Sequence, residues 1–213
     1  MKRRTFFTGL AAATGVVAFG RGARADAVSE ALGEIAKARA GLKTMVARFT
    51  QERTIGLLAT AVKSEGELTL VRPDRLRWEL EPPDAITYWI TPEGLAYATA
   101  SGSSSVGRIG AGRFGAVLGD LMILIGGDLE KLRGRYELSA QRGDGGIALS
   151  ARPKADDVKK HVRALELATG ADKWSVRRVV IEERGGDKSV IVFGKVMRDV
   201  KVDPARMAPP KAR

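Results

Sequence analysis

Residues 66–80 read GELTLVRPDRLRWEL, and this stretch decides the fold. Apolar side chains take the even positions on both sides of Pro73, namely Leu68, Leu70, Leu76, Trp78 and Leu80. Because successive strand side chains point to opposite faces, the alternation predicts two strands with one apolar and one charged face. Pro73 cannot donate to a strand ladder and Asp74 favours a turn, so the strands form a tight antiparallel hairpin.

Arg72 has the same even parity as the apolar side chains of this hairpin. It therefore points toward the apolar face, where a guanidinium is costly unless carbonyl or carboxylate groups accept its hydrogen bonds. An arginine at the rim of an apolar surface is the first indication of a functional site.

Residues 1–25 have the pattern of a cleaved export signal. A basic start is followed by an apolar run over residues 6–20 and by the small-residue site ARA at 23–25. The run is shorter than the roughly 20 apolar residues that span a bilayer. The sequence RRTFF at residues 3–7 resembles a twin-arginine signal, and we expect a mature single domain over residues 26–213.

The charge and the missing cysteines limit the classes of function. Removal of residues 1–25 takes away five basic residues and no acidic one, which lowers the formal net charge from +11 to +6. The remaining basic residues are dispersed, so we expect no nucleic-acid partner. The chain has no cysteine, so it has neither a disulfide nor a cysteine for a lipid anchor, and we expect a soluble protein.

The first half of the mature chain has the pattern of a helix followed by an antiparallel meander. Helical spacing over residues 27–40 places Val28, Ala31, Leu32, Ile35 and Arg39 on one face, and Gly41 is placed to end the helix. Alternating side chains predict strands at residues 42–53, 61–71, 75–81, 86–90 and 95–99.

A Gly- and Ser-rich connector is predicted over residues 101–113, before a strongly apolar helix. That helix carries Phe114, Val117, Leu118, Leu121, Met122 and Ile125 at helical spacing. It fits either a core helix or a helix that covers a cavity. Strands follow at residues 135–141, 147–152, 163–168, 174–183 and 189–197, with a loop or short helix at 154–161. The predicted fold is mainly β, an antiparallel sheet that curls toward a barrel.

The sequence has no pattern of residues typical of catalysis. A single histidine, His161, and no cysteine argue against a metal site. Residues 110–115 fit Gly-x-Gly-x-x-Gly, but a Ser/Gly run precedes them and no βαβ alternation surrounds them, so we reject a dinucleotide site. We expect a protein that is not an enzyme and has no cofactor and no metal.

Three segments resemble the LolA family of periplasmic outer-membrane lipoprotein carriers. They are ARFTQ at residues 47–51, GEL at 66–68, and the Arg72-Pro73 turn with Leu76 and Trp78 after it. The resemblance covers most of residues 28–200. It implies an incomplete antiparallel β-barrel, or half-barrel, with an N-terminal helix and a lid helix over an apolar concave face.

The resemblance also implies roles for individual residues. The family's lid-latching arginine corresponds to Arg72. Its cavity-lining positions correspond to Met45, Phe49, Leu68, Leu70, Leu76 and Trp78, and strand alternation extends the wall to Leu80, Ile86, Tyr88 and Ile90. Our candidates for the lid are Leu118, Leu121, Met122 and Ile125.

The implied function is a soluble periplasmic carrier, a chaperone for acyl chains. Such a carrier takes acylated lipoproteins from an inner-membrane ABC complex and passes them to an outer-membrane acceptor, and we expect it to be a monomer. Two alternatives remain open from the sequence: a lipid-sensing or envelope-stress regulatory domain on the same half-barrel, and a cofactor-binding exported enzyme. The absent catalytic pattern argues against the enzyme.

Overall fold

The computed structural model describes residues 21–56, 60–107, 112–126, 129–143 and 145–210. Most of the predicted export signal, and Gly110 and Ala111 of the glycine motif, lie outside the described residues. The described strands form one antiparallel sheet of eleven strands.

The first six strands form a meander in chain order. They are β1 (Thr44–Ile55), β2 (Thr60–Val71), β3 (Arg75–Leu80), β4 (Ile86–Thr91), β5 (Gly94–Thr99) and β6 (Gly102–Gly107). Each strand pairs with the next, and the turn at residues 72–74 joins β2 to β3 as predicted.

The other five strands form a second meander. They are β7 (Tyr136–Gly143), β8 (Gly146–Pro153), β9 (Val162–Thr169), β10 (Val176–Glu183) and β11 (Lys188–Arg198). Strand β11 pairs with β1, which joins the two meanders and gives the order β6-β5-β4-β3-β2-β1-β11-β10-β9-β8-β7. The sheet ends in β6 and β7 and does not close into a barrel, so the prediction of a mainly β half-barrel is confirmed.

Two longer helices pack on one face of the sheet, which we call the inner face. They are α1 (Arg21–Ala38) and α2 (Gly112–Gly126). Buried side chains of both helices belong to the same apolar cluster as those of the strands. Helix α1 begins six residues before the predicted start, and Gly41 follows it with a φ of +76°, a value that glycine adopts without strain.

Three short helices complete the fold: α3 (Glu130–Arg133), α4 (Asp156–Lys159) and α5 (Pro204–Met207). The sequence indicated only α4. Asp203 caps α5 by accepting a hydrogen bond from the Ala205 amide at 2.9 Å, and Pro204 occupies its first turn, as is usual for helix starts.

The prediction of a connector over residues 101–113 is wrong for residues 102–107. They form β6, which pairs with β5 from Leu95 opposite Gly107 to Thr99 opposite Gly102. Serine and glycine have low intrinsic strand preference, but the free edge of β5 supplies ladder partners that outweigh it.

Candidate functional site

The inner face of β1 to β4 carries three rows of apolar side chains, each running across the strands. The register aligns Met45, Leu70, Leu76 and Ile90 in the first row. It aligns Ala47, Leu68, Trp78 and Tyr88 in the second, and Phe49, Gly66, Leu80 and Ile86 in the third. All ten apolar side chains predicted to bind acyl chains therefore lie on one surface, which we call the wall. Their binding of acyl chains stays a prediction.

Burial falls from the first row of the wall to the third. All four side chains of the first row are buried, and Leu70, Leu76 and Ile90 have no exposed area. In the second row Tyr88 is half-buried, and in the third both Leu80 and Ile86 are half-buried. The wall is thus closely packed at one end and partly accessible at the other.

Aromatic rings occupy the middle of the wall. The rings of Phe49 and Trp78 have centroids 4.1 Å apart, and Phe193 of β11 meets both rings edge-on at 6.1 and 6.3 Å. Gly66 lies opposite Phe49 in the register, and a Cβ there would lie 2.5 Å from the Phe49 ring. The glycine therefore leaves the space that the Phe49 ring fills.

A cavity of about 480 Å³ opens at the accessible end of the wall. Its lining includes four predicted wall residues, Trp78, Leu80, Ile86 and Tyr88, and the predicted lid residue Leu121. The volume lies within the range of about 300–1,000 Å³ that is usual for sites that bind small molecules.

The cavity extends beyond the predicted wall. Four apolar side chains that the sequence analysis missed also line it: Ile55, Val62, Ile181 and Ile191. The first two continue the parity of β1 and β2, so a longer extrapolation of the alternation would have found them. The other two come from β10 and β11, which the sequence could not place next to β1.

Polar side chains surround the cavity at the far ends of β1 and β2. Arg53 donates to Asp187 at 2.8 Å and lies 3.6 Å from Glu183, and Ser64 donates to Asp84 at 2.5 Å. Arg53, Ser64, Asp84 and Glu183 are all in the lining. The site is therefore an apolar pocket with a charged mouth, an arrangement suited to a ligand with an apolar tail and a polar head.

Helix α2 covers the packed end of the wall. Leu121 and Ile125 are buried, Met122 is half-buried, and the Leu118 side chain lies outside the described residues. A Cβ on Gly126 would lie 3.8 Å from the Leu70 side chain, so the end of α2 lies above the first row. The position of α2 is that of a lid, and its movement stays a prediction.

Arg72, the predicted latch, reaches the lid through a second arginine. Its Nη1 donates to the carbonyl oxygen of Arg39 at 2.8 Å. Arg39 lies just after α1 and is 1% exposed. The helical spacing in the sequence had placed Arg39 on the apolar face of α1, and this position was the one indication that Arg39 is buried.

Arg39 makes the contact with the lid helix. Its Nη1 donates to the Leu124 carbonyl of α2 at 3.2 Å, and its Nε donates to the Trp174 carbonyl before β10 at 3.0 Å. Its Nη2 is buried and has no hydrogen-bond partner among the residues that the structure describes. Burial, and secondarily the positive charge of Arg72, lower the pKa of Arg39 to about 10, so it stays charged at neutral pH. The two arginines thus link α1, the β2–β3 hairpin and α2.

Within the described part of the chain, no group of three His, Asp or Glu side chains is placed to hold a metal ion. In the same residues no helix is both long and apolar enough to cross a membrane. The glycine motif at 110–115 falls largely outside the described side chains.

The segment that carries most of the wall resembles a known protein family. Residues 40–88 match the family model for outer membrane lipoprotein carrier protein LolA, a range that contains nine of the ten predicted wall residues and Arg72. An outer-membrane lipoprotein carrier protein of Alkalilimnicola ehrlichii is 28% identical over 167 residues, which cover 75% of this chain and 70% of the relative. These matches confirm the resemblance to the LolA family.

Solved structures that share the fold include proteins from two bacteria. A DUF1329 family protein of Desulfovibrio piger has a TM-score of 0.51 at 10% identity, over 85% of this chain and 97% of that chain. An uncharacterised conserved protein of Thermus thermophilus has a TM-score of 0.50 at 14% identity, over 86% and 94%. At these identities the likeness concerns the fold alone.

Proposed function

We propose that this protein is a periplasmic, non-enzymatic carrier that shelters the acyl chains of lipoproteins between two membranes. The observation that carries the proposal is the continuous apolar wall, which opens into a cavity and lies in the part of the chain that matches the carrier family. By the same reasoning, an inner-membrane ABC complex supplies the cargo and an outer-membrane acceptor receives it.

The physical need for such a site follows from the hydrophobic effect. Each CH₂ group removed from water contributes about 0.8 kcal/mol, so an acylated lipoprotein cannot cross an aqueous compartment unshielded. The resting cavity of about 480 Å³ is bordered by the second and third rows of the wall and by Leu121, whereas the end of α2 at Gly126 lies above the first row. Cargo with several acyl chains would require α2 to move away from the wall.

Release of cargo requires that the open and closed states of the lid differ by only a few kcal/mol. Arg39 meets this requirement, because its bond to the Leu124 carbonyl of α2 stabilises the closed lid while its desolvated charge opposes closure. The Arg72 charge adds to that opposition. In this proposal Arg72 acts on the lid through Arg39, and its charge keeps the closed lid ready to open rather than holding it shut.

We expect a hydrophobic fluorescent dye to bind the purified protein and a synthetic triacylated lipopeptide to displace it. Leu80→Asp, in the third row, should weaken dye binding about tenfold or more, because a carboxylate in an apolar site is strongly disfavoured. Val192→Asp is the matched control, since Val192 is 46% exposed and lies outside the cavity lining. Equal dye affinity of the two variants would contradict the proposed site.

Native mass spectrometry of protein purified from an envelope extract then identifies the cargo class. A bound triacylated lipoprotein supports the carrier. Bound free lipid without lipoprotein would favour the sensor alternative, and a bound nucleotide or metal would overturn both.

We expect Arg72→Leu to leave the fold intact and to slow the handover of lipopeptide to acceptor vesicles several-fold. Loss of the Arg72 charge removes a repulsion that opposes the burial of Arg39, so the closed lid becomes more stable. Arg75→Leu is the control on the same hairpin, since Arg75 pairs with exposed Glu93 at 3.2 Å. Handover by Arg72→Leu at the unmodified rate would show that Arg72 has no part in the opening of the lid.

A further inference from the structure

Asp120 is an acidic residue in the middle of an otherwise apolar stretch of α2. It is 2% exposed. The Tyr136 hydroxyl donates to its Oδ2, and Arg135 donates to both carboxylate oxygens, from Nε at 3.1 Å and from Nη2 at 3.4 Å. A buried carboxylate is retained at low cost only where donors surround it in this way.

The strand that precedes α2, β6, is one edge of the sheet. The partners of Asp120 lie at the other edge. The chain leaves edge strand β6, passes through α2 and α3, and enters edge strand β7 at Tyr136. Because the sheet is open between β6 and β7, this crossover spans the opening. Asp120 attaches the middle of the crossover to the start of β7.

The hydrogen bonds to Asp120 satisfy its side chain more fully than those of Arg39 satisfy its guanidinium. Burial raises the pKa of Asp120, while the hydrogen bond from Tyr136 and the charge of Arg135 act in the opposite direction. Both carboxylate oxygens of Asp120 have donors, whereas Arg39 has a buried nitrogen with no partner in the described part of the chain. The following residue, Leu121, lines the cavity, so any displacement of Asp120 also moves part of the cavity lining on α2.

We propose that Asp120 is the positioning residue of the lid helix, and that its bonds to Tyr136 and Arg135 set how often the cavity opens along the whole wall. The inference rests on the proposed carrier function, because that function is what requires the cavity to open. Its test needs no cargo, however, because opening of α2 is measured directly.

The natural chain has no cysteine, so one introduced thiol reports on one position. Leu121→Cys places a buried thiol on the inner side of the lid helix, and its alkylation rate measures lid opening. Leu167→Cys, in β9 and 1% exposed, places a thiol whose alkylation measures opening of the sheet. Each is combined with Asp120→Asn, with Tyr136→Phe, which removes only the hydroxyl, or with Asp157→Asn.

We expect Asp120→Asn to speed alkylation at position 121 by at least about tenfold, the usual scale for a lost hydrogen bond to a charged group. Tyr136→Phe should speed it less, and neither should change the rate at position 167. Asp157→Asn is the matched control, because Asp157 accepts from the same Arg135 at 3.1 Å but its side chain is 66% exposed.

An unchanged rate at position 121 in Asp120→Asn would overturn the inference. Equal acceleration at positions 121 and 167 would also overturn it, since that result indicates loss of global stability. Failure of dye binding with a normal lid response would instead count against the carrier function and leave the role of Asp120 standing.

Discussion

The Gly66→Ala variant is expected to lose about 3 kcal/mol of unfolding free energy, at the upper end of the usual cost of overpacking. A Cβ at position 66 would lie 2.0 Å from the Glu79 carbonyl oxygen on β3 and 2.5 Å from the Phe49 ring on β1. The first contact is with backbone in a paired strand, which cannot move without breaking the ladder. Urea unfolding, followed by circular dichroism, measures the loss.

Gly33→Ala is the control for this substitution. Gly33 lies in α1 and is exposed, and a Cβ at position 33 would meet no atom within 4 Å. Alanine in a helix interior is more favourable than glycine by about 0.5–1 kcal/mol, so this variant should gain stability. If Gly66→Ala unfolds at the same urea concentration as the unmodified protein, the close packing of Phe49 against β2 is wrong.

The composition of the wall was predictable because alternation is a local property. The parity of residues 66–80 fixed which side chains share a face, and the hairpin turn fixed the register of β2 on β3. The family resemblance added Met45 and Phe49, and the same alternation rule on a neighbouring strand added Ile90. The structure places all of these residues in three aligned rows.

The contacts between distant segments were not predictable from a local pattern. Arg39 meets Leu124 and Trp174 across separations of 85 and 135 residues. Asp120 carried a weak signal, as an acid inside an apolar helix, but its partners Arg135 and Tyr136 lie in later elements. The resemblance directed attention to Arg72, while the direct contact with the lid belongs to Arg39.

The sequence also could not predict that one end of the wall is packed and the other end is open. All three rows have the same apolar character, so their composition does not distinguish a filled core from a cavity. The difference arises from where α2 ends, since Gly126 lies above the first row and Leu121 borders the cavity near the third.

Replacement of Arg39 by methionine is expected to raise the unfolding free energy by about 1 kcal/mol or more. Among the described residues Arg39 has no carboxylate within ion-pair distance and its Nη2 lacks a hydrogen-bond partner; burial lowers its pKa to about 10, although the charge of Asp172 acts in the opposite direction. Exchange of a buried ion pair for apolar side chains of similar volume is often neutral or stabilises a protein by about 1–4 kcal/mol, and the burial of Arg39 carries a desolvation cost of the same kind. The loss of donors to the Leu124 and Trp174 carbonyls offsets part of this gain.

The same substitution should slow the release of bound lipopeptide by roughly tenfold, since about 1.4 kcal/mol of extra stability in the closed lid corresponds to that factor. Arg77→Met is the control: Arg77 is 8% exposed and donates to Glu79 at 2.5 Å, closer than Arg206 at 3.4 Å, so its loss removes the nearer of the two cations that pair with this carboxylate and should lower stability. Stopped-flow dye exchange measures release, and urea unfolding measures stability. A less stable Arg39→Met variant that releases cargo faster would show that Arg39 chiefly holds the lid closed. The opposite result, more stable and slower, would show that its desolvated charge keeps the lid ready to open.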